Sequence, residues 1–335
     1  MCLSRDHLPL LVAGLFLWAT STTATAQLSW PADWQLEAGS SAHVSGYCGD
    51  IGHKGPYGLL SSTQWHLVQM GGGLAVRAQQ SGKRTGFNLD VRRIRIQGAD
   101  SVSNNAVTFV RNLHFRNAMT EVAATVDYPL LRLGGQAGAW TLTHRFSGAA
   151  GVALLHHAPK ARVDRDNLCY DKLIELGYID GDEWHDLRTA RTEGDSYAVW
   201  VTTLPIGMTW TVSADNGSGR PWHITLSGLM RWTWTDRLDD IHNQYADPWG
   251  MTPLGLALTS QSNPSDLPPC ANPPSLSTFQ YQQGLQDERQ PTRGNAETRD
   301  FYWTVGLKVS RSLFAVPSQT FHRKRFRGPR VENKR

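Results

Sequence analysis

Polar and apolar residues alternate along much of this chain with a period of two, the spacing that sends successive side chains to opposite faces of a strand. Two segments are cleanest. In one, Trp222, Ile224, Leu226, Gly228, Met230, Trp232 and Trp234 share a face, and His223, Thr225, Ser227, Arg231, Thr233 and Thr235 lie opposite. In the other, Phe301, Trp303, Val305, Leu307, Val309 and Leu313 stand against Tyr302, Thr304, Gly306, Lys308, Ser310 and Ser312, with Arg311 out of place on the apolar face. The same pattern groups Trp200, Leu204, Ile206, Met208, Trp210 and Val212, and it groups Trp140, Leu142, Phe146, Ala150, Val152 and Leu154. Val122, Ala124, Val126, Tyr128 and Leu130 oppose Glu121, Thr125 and Asp127. Near the start, Trp34, Leu36, Ala38, Ala42 and Val44 oppose Gln35 and Glu37, and Val68, Met70, Leu74 and Val76 oppose Gln69 and Arg77. Residues 87–97 give the weakest strand, because the alternation breaks at Arg92 and Arg93.

Eight strands are therefore expected, an even number. Connections after the second, fourth and sixth are short, while those after the first, third, fifth and seventh are long, the last running over residues 236–300. This predicts an all-β fold: a transmembrane, eight-stranded, antiparallel up-and-down β-barrel with long extracellular loops and both termini on the periplasmic side. A soluble sandwich or lipocalin-like barrel would turn its apolar faces inward. Here the polar faces carry Glu37, Glu121, Asp127, Arg145, Arg231 and Lys308, which are expected to form one compensating charge cluster in a filled lumen.

Tryptophan strengthens the membrane reading. There are 13, and Trp prefers positions where one end of the ring is apolar and the other wet. Trp200 and Trp210 are ten residues apart on one face, as are Trp222 and Trp232; ten tilted strand residues span about 25 Å, the height of an apolar band between aromatic girdles. Trp140, Trp200, Trp210, Trp222, Trp232, Trp234 and Trp303 are the expected girdle residues. A turn centred on Asn216 would set Trp210 opposite Trp222 and Trp200 opposite Trp232.

The ends of the chain add processing and charge. Arg5, an apolar run over residues 8–18 and Ala24-Thr25-Ala26 read as a secretory signal peptide over residues 1–26. Residues 27–314 hold the barrel. Residues 315–335 form a basic periplasmic tail whose Arg323, Lys324, Arg325 and Arg327 are expected to dock an acidic partner surface. Cys48, Cys169 and Cys270 all fall in predicted outer loops; at most one bridge forms among them within the chain, and the sequence does not select the pair.

Catalytic motifs are not found: G-x-S-x-G, H-E-x-x-H, C-x-x-C and a phosphate loop are missing. Asp239, Asp240 and His242, and separately His185-Asp186, have the chemistry to activate a water, but no nucleophile or ligand spacing accompanies them. The expectation is a non-enzymatic protein of the outer membrane with no catalytic residue, cofactor or metal, no nucleic acid partner and no small-molecule substrate.

Several segments resemble a known family. Arg111-Asn112-Leu113-His114-Phe115-Arg116-Asn117, Ala158-Pro159-Lys160-Ala161, residues 184–187 with Thr192-Glu193-Gly194, Leu204-Pro205-Ile206-Gly207-Met208, Thr235-Asp236-Arg237-Leu238-Asp239-Asp240-Ile241, and Arg293-Gly294-Asn295 followed by Asp300-Phe301-Tyr302 are similar, in order and spacing, to the pattern of the PorG-like outer-membrane proteins of the Bacteroidota type IX secretion system. The enlarged loop over residues 236–300 and the basic tail depart from it. The resemblance implies a secretion component that tethers a periplasmic ring to the outer membrane, with ring proteins and outer-membrane lipid as partners. The competing reading is an OmpA- or OmpX-like barrel whose loops bind surfaces; a barrel hydrolase is a third.

Overall fold

The structure is a computed structural model that describes residues 33–52, 64–103, 109, 111–167, 170–242, 251–259, 261, 293–294 and 299–314. The expected signal segment over residues 1–26, the basic tail with Arg323, Lys324, Arg325 and Arg327, Cys169, Cys270 and most of the 236–300 connection lie outside the described residues.

Ten strands form one sheet: β1 (Trp34–Cys48), β2 (Gln69–Gln80), β3 (Gly86–Ala99), β4 (His114–Ala137), β5 (Trp140–His156), β6 (Pro159–Ala161), β7 (His185–Asp186), β8 (Trp200–Asp215), β9 (Trp222–Thr233) and β10 (Phe301–Ser312). Eight of them close a ring in the order β1-β2-β3-β4-β5-β8-β9-β10, because β10 pairs back onto β1 from Glu37↔Ser312 to Cys48↔Phe301. Every pairing is antiparallel. The short β6 and β7 continue the wall beyond β4 at one rim, and they were not anticipated from the sequence. Among the described residues, three short helices also lie in long connections: α1 (Tyr170–Glu175), α2 (Leu187–Ala190) and α3 (Pro253–Thr259). No helix among the described residues is long and apolar enough to cross a membrane.

The ring is staggered. The partner path Gln79, Gly86, Asp127, Ala149, Gly207, Leu229, Thr304, Ser45, Gln69 starts and ends on β2, ten residues apart. Ten residues of stagger over eight strands tilt each strand by about 40° from the ring axis, and a ring this narrow is filled by side chains.

The alternation survives where the sequence lost it. On β3, Phe87, Leu89, Val91, Arg93 and Arg95 all point outward, and Asp90, Arg92, Ile94 and Ile96 point inward. Parity never breaks at Arg92 and Arg93. What changes is the interior, which turns apolar towards the loop rim, so the polarity of the two faces inverts. There Ile94, Ile96, Phe115, Met119 and Leu155 pack with Leu113, Val163, Leu173, Leu187, Leu238, Ile241 and Leu258 from the long connections. Those loops fold over the mouth as a cap.

Two register expectations are corrected. Trp210 lies opposite Leu226 and Trp232 opposite Leu204, because the β8–β9 ladder stops at Ala214↔Trp222 and the turn takes up Arg220 and Pro221. The two aromatic pairs are thus offset by four residues in register. The second correction concerns the β4–β5 hairpin. β3 stops pairing with β4 at Gly86↔Asp127, whereas β4 and β5 remain paired to Ala137↔Trp140. Residues 130–141 are exposed on both faces. Trp140 therefore sits on a ribbon that overhangs the turn rim and is not part of a rim girdle.

Glycines inside the ladder test the β8–β9 register. A Cβ on Gly207 would lie 2.0 Å from the Gly228 carbonyl oxygen, whereas one on Gly228 would meet nothing within 4 Å. Gly207→Ala is expected to lower stability by about 1–3 kcal/mol, in the range of overpacked interiors, and Gly228→Ala to leave the denaturant midpoint almost unchanged. Equal effects would disprove the register.

Candidate functional site

Inward-facing charges form two main groups, with a further ion pair on β3, Arg92–Asp90 at 3.0 Å, beside them. Near the turn rim, Arg77 donates to Glu37 at 2.8 Å and to Asp127 at 3.0 and 3.2 Å, with Gln79 at 2.8 Å. His223 lies 3.7 Å from Glu37. Further in, Arg231 grips Glu121 through both oxygens, at 2.6 and 3.1 Å, and donates to Thr304 at 2.7 Å. The Tyr302 hydroxyl donates to the same carboxylate at 2.9 Å. Arg231 and Glu121 are both fully buried. A two-point guanidinium–carboxylate pair is the geometry in which a buried charge is best compensated.

The six charges expected to form one cluster thus fall into two hydrogen-bonded groups, and two of them, Arg145 and Lys308, act on Glu37 through space without forming an ion pair. Arg145 reaches only Gln79, at 3.5 Å, and its Nε has no hydrogen-bond partner among the described residues. Lys308 lines, with Arg77, Arg92, Arg145, Asp90 and Asp127, a cavity of about 40 Å³ between the groups. That volume holds a few waters at most. Sequence reasoning left out Arg77, the hub of the outer group, although the alternation had placed it inward. It also left out Tyr302. The missing signal was cross-strand register, which decides which inward charges meet.

The expected girdle residues Trp200, Trp210, Trp222, Trp232 and Trp234 are exposed on the outer wall. Arg311, the outlier of the last strand, lies over the Trp222 ring at 5.2 Å. Trp303 points outward but is covered: Trp65, in a single helical turn before β2, packs on it at 5.5 Å and takes the exposed position.

The mouth of the ring holds a second polar centre. Tyr47 Oη lies 2.6 Å from Asp239 and 2.8 Å from Asp300. One phenolic proton cannot serve two carboxylates, so one carboxyl carries a proton and donates to the phenolic oxygen. Burial and mutual repulsion push both acids well above the usual carboxylate range. The same causes push Asp236, hydrogen-bonded to His242 at 3.0 Å, up to about 9. Asp240 adopts φ 70°, unusual for a residue with a side chain. It accepts from Thr192 and, at 2.7 Å, from Tyr197, and Arg293 lies 3.5 Å away. Its carboxyl is pushed up to about 6, by burial above all. Asp239 also accepts from the Ile51 and Ile241 amides.

Asp239, Asp240 and His242 thus come together, but their hydrogen bonds hold loops to the mouth. His185-Asp186 stays apart on the wall, where Asp186 caps α2 by accepting from the Thr189 amide at 3.0 Å. Among the described residues no cluster has the makings of a metal site. Cys48 is buried at the loop end of β1.

Segments singled out in the sequence converge here. Arg111 bridges Asp100 with the Asp50 and Arg293 carbonyls. Asn117 donates to the Leu238 carbonyl at 2.8 Å and accepts from the Ala158 amide at 3.0 Å. Asp300 accepts from the Leu238 amide at 2.8 Å. No family model matches the chain, and no curated protein matches it.

Two outcomes test these contacts. Glu121→Ala strands a buried guanidinium and should cost about 3–5 kcal/mol, read from the denaturant midpoint. Arg145→Ala should cost clearly less, since no carboxylate is bonded to it. The second test is pH. Asp236, Asp239 and Asp300 bind protons more tightly folded than unfolded, so the cap is firmest below about pH 4, the unfolded value. Its stability then falls as pH rises through the folded values. Hydrogen exchange over residues 235–242 should accelerate between pH 5 and 8 by more than its intrinsic rate, and Asp239→Asn should flatten that excess. No excess in the wild-type protein would refute the protonated cap.

Proposed function

We propose that the chain is a non-enzymatic β-barrel of an outer membrane and the membrane anchor of a secretion machine of the type IX kind, tethering a periplasmic ring to that membrane. The observation that carries the barrel reading is an inverted protein: a closed ring with Ile224, Leu226, Val305, Leu307, Val309, Val122 and Val126 exposed outside and paired charges buried inside. In water such a wall would be an apolar patch far larger than soluble monomers carry. In lipid it is the ordinary outer face of a barrel.

The anchoring role rests on the resemblance to PorG-like proteins, and two features support it. Most of the segments that carry the resemblance meet in one hydrogen-bonded cap, so they share a structural task; residues 204–208 lie instead in the β8 wall. The overhanging hairpin also gives the turn side, periplasmic in this reading, a surface suited to a partner: Leu130, Leu131 and Leu133 are exposed, and β4 has no neighbour on its β3 side past Asp127. An exposed edge of this kind invites strand addition. A second reading, a barrel whose loops bind surfaces, is favoured by exposed Ile174, Leu176 and Tyr178 at and just after α1 on the opposite side.

The test joins insertion to capture. Leu226→Arg should cost about 2–4 kcal/mol of stability in bilayers, whereas Leu131→Asp with Leu133→Asp should leave heat-modifiable folding intact and abolish co-purification of periplasmic ring proteins. Ring capture by the double variant at the wild-type level would exclude the hairpin, and loss of surface binding on α1 substitution instead would favour the second reading.

A further inference from the structure

The outer wall is not apolar all the way round at the loop rim. On β3, Arg93 and Arg95 follow Val91 on the outward face, and both are exposed. Register sets Arg93 against Thr120 and Arg95 against Ala118 on β4, and Arg116 follows on the same face opposite Gln97. Across β4, Arg116 pairs with exposed Lys160 of β6, and exposed Arg162 comes two residues later. Trp184 organises part of this group: the Arg116 guanidinium lies 4.0 Å from its ring centre and that of Arg162 5.8 Å away. Stacking holds these cations in place without neutralising them.

Acids are scarce around them: Arg162 feels the Asp182 carboxylate through space, but that carboxylate is ion-paired with Arg165. The outward positions of β3, β4 and β6 carry neither Asp nor Glu. Asp186 is the register partner of Lys160, but its carboxylate caps α2. None of the five cations forms an ion pair among the described residues. The strands opposite are different: at this rim, β8 and β9 present Trp200 and Trp232.

We propose that Arg93, Arg95, Arg116, Lys160 and Arg162 form a seat for the phosphate groups of a membrane lipid headgroup. The inference rests on the barrel reading. Placement argues for it: the rows of Arg93 to Arg116 lie two to six residues beyond the last apolar row, Val91↔Val122, which is about 5–15 Å along the axis for strands tilted by about 40°. That interval overlaps the headgroup layer of a bilayer. Forked guanidiniums bind phosphate oxygens two at a time; Arg93 donates to the Thr120 hydroxyl at 2.7 Å through one nitrogen, and its remaining N–H groups are left to a phosphate. The loop rim faces the outer leaflet in this orientation, so the fitting occupant is a phosphorylated glycolipid of the lipid A type.

The experiment uses the full chain in phosphatidylcholine vesicles containing bisphosphorylated lipid A or the same lipid with its phosphates removed. Insertion is read by heat-modifiable mobility, and lipid carried through detergent extraction is counted by native mass spectrometry. The wild-type protein should retain the phosphorylated lipid at least about tenfold better, since each basic residue near an anionic surface adds to the attraction. Replacing all five cations by Gln should remove that preference while insertion persists. Arg311→Gln, at the other rim, should keep it. Insertion without a phosphate preference, or a preference that survives the fivefold variant, overturns the seat alone. Failure to insert into either vesicle overturns the barrel reading and the seat with it.

Discussion

β10 pairs back onto β1 over the whole length of the shorter strand, and that closure governs the backbone, the bore and the interior charges together. A closed ladder leaves no open edge between the rims, so the backbone is satisfied without help from solvent. Closure with a ten-residue stagger also fixes the bore, which side chains fill apart from a cavity of about 40 Å³. A charge that alternation turns inward is therefore met by other side chains of the ring rather than by bulk water. Arg231 reaches Glu121 on β4 from β9, and Arg77 joins β1 to β4 through Glu37 and Asp127. Arg231–Glu121 and Arg77–Asp127 act as cross-ties between strands that are not neighbours.

The wall was legible in the sequence because each strand side sees one environment along its length. Trp222 to Trp232 and Val305 to Val309 needed only a period of two. The reading failed where one face meets two environments. Ile94 and Ile96 are inward but lie under the cap, so their polarity matches the outside of the ring lower down, and Arg93 and Arg95 are outward beyond the apolar band. Seen along the chain this looks like a broken strand; in the fold it marks the level at which both inside and outside change.

Pairing was less legible than facing. Two inward residues from distant strands meet only if the register brings them to one height, and four residues of extra turn between β8 and β9 are enough to displace a whole ladder. Hence Arg145, expected in the charge cluster, bonds only to an amide, and Arg77 became its hub. The overhang of β4–β5 was invisible for a related reason. Residues 130–141 keep a strand-like composition, and only the early end of β3 at Gly86 leaves them without a neighbour. The cap was the reverse case: its motifs stood out as a resemblance, but their joint hydrogen bonding around Asp239, Asp240 and Asp300 required loops far apart in sequence to be brought together.

The overhanging hairpin also has a mechanical meaning. A force applied to its tip along the strands does not peel β4 and β5 from the wall one bond at a time. It loads the β5–β8 ladder, paired from Thr141↔Asp215 to His156↔Trp200, in shear, so that many hydrogen bonds share the tension and must yield together. The β3–β4 ladder takes up the load on the other side from Gly86↔Asp127 upward. The geometry suits a handle that is pulled upon: tension entering at Leu133 spreads over two ladders before it reaches any loop at the far rim.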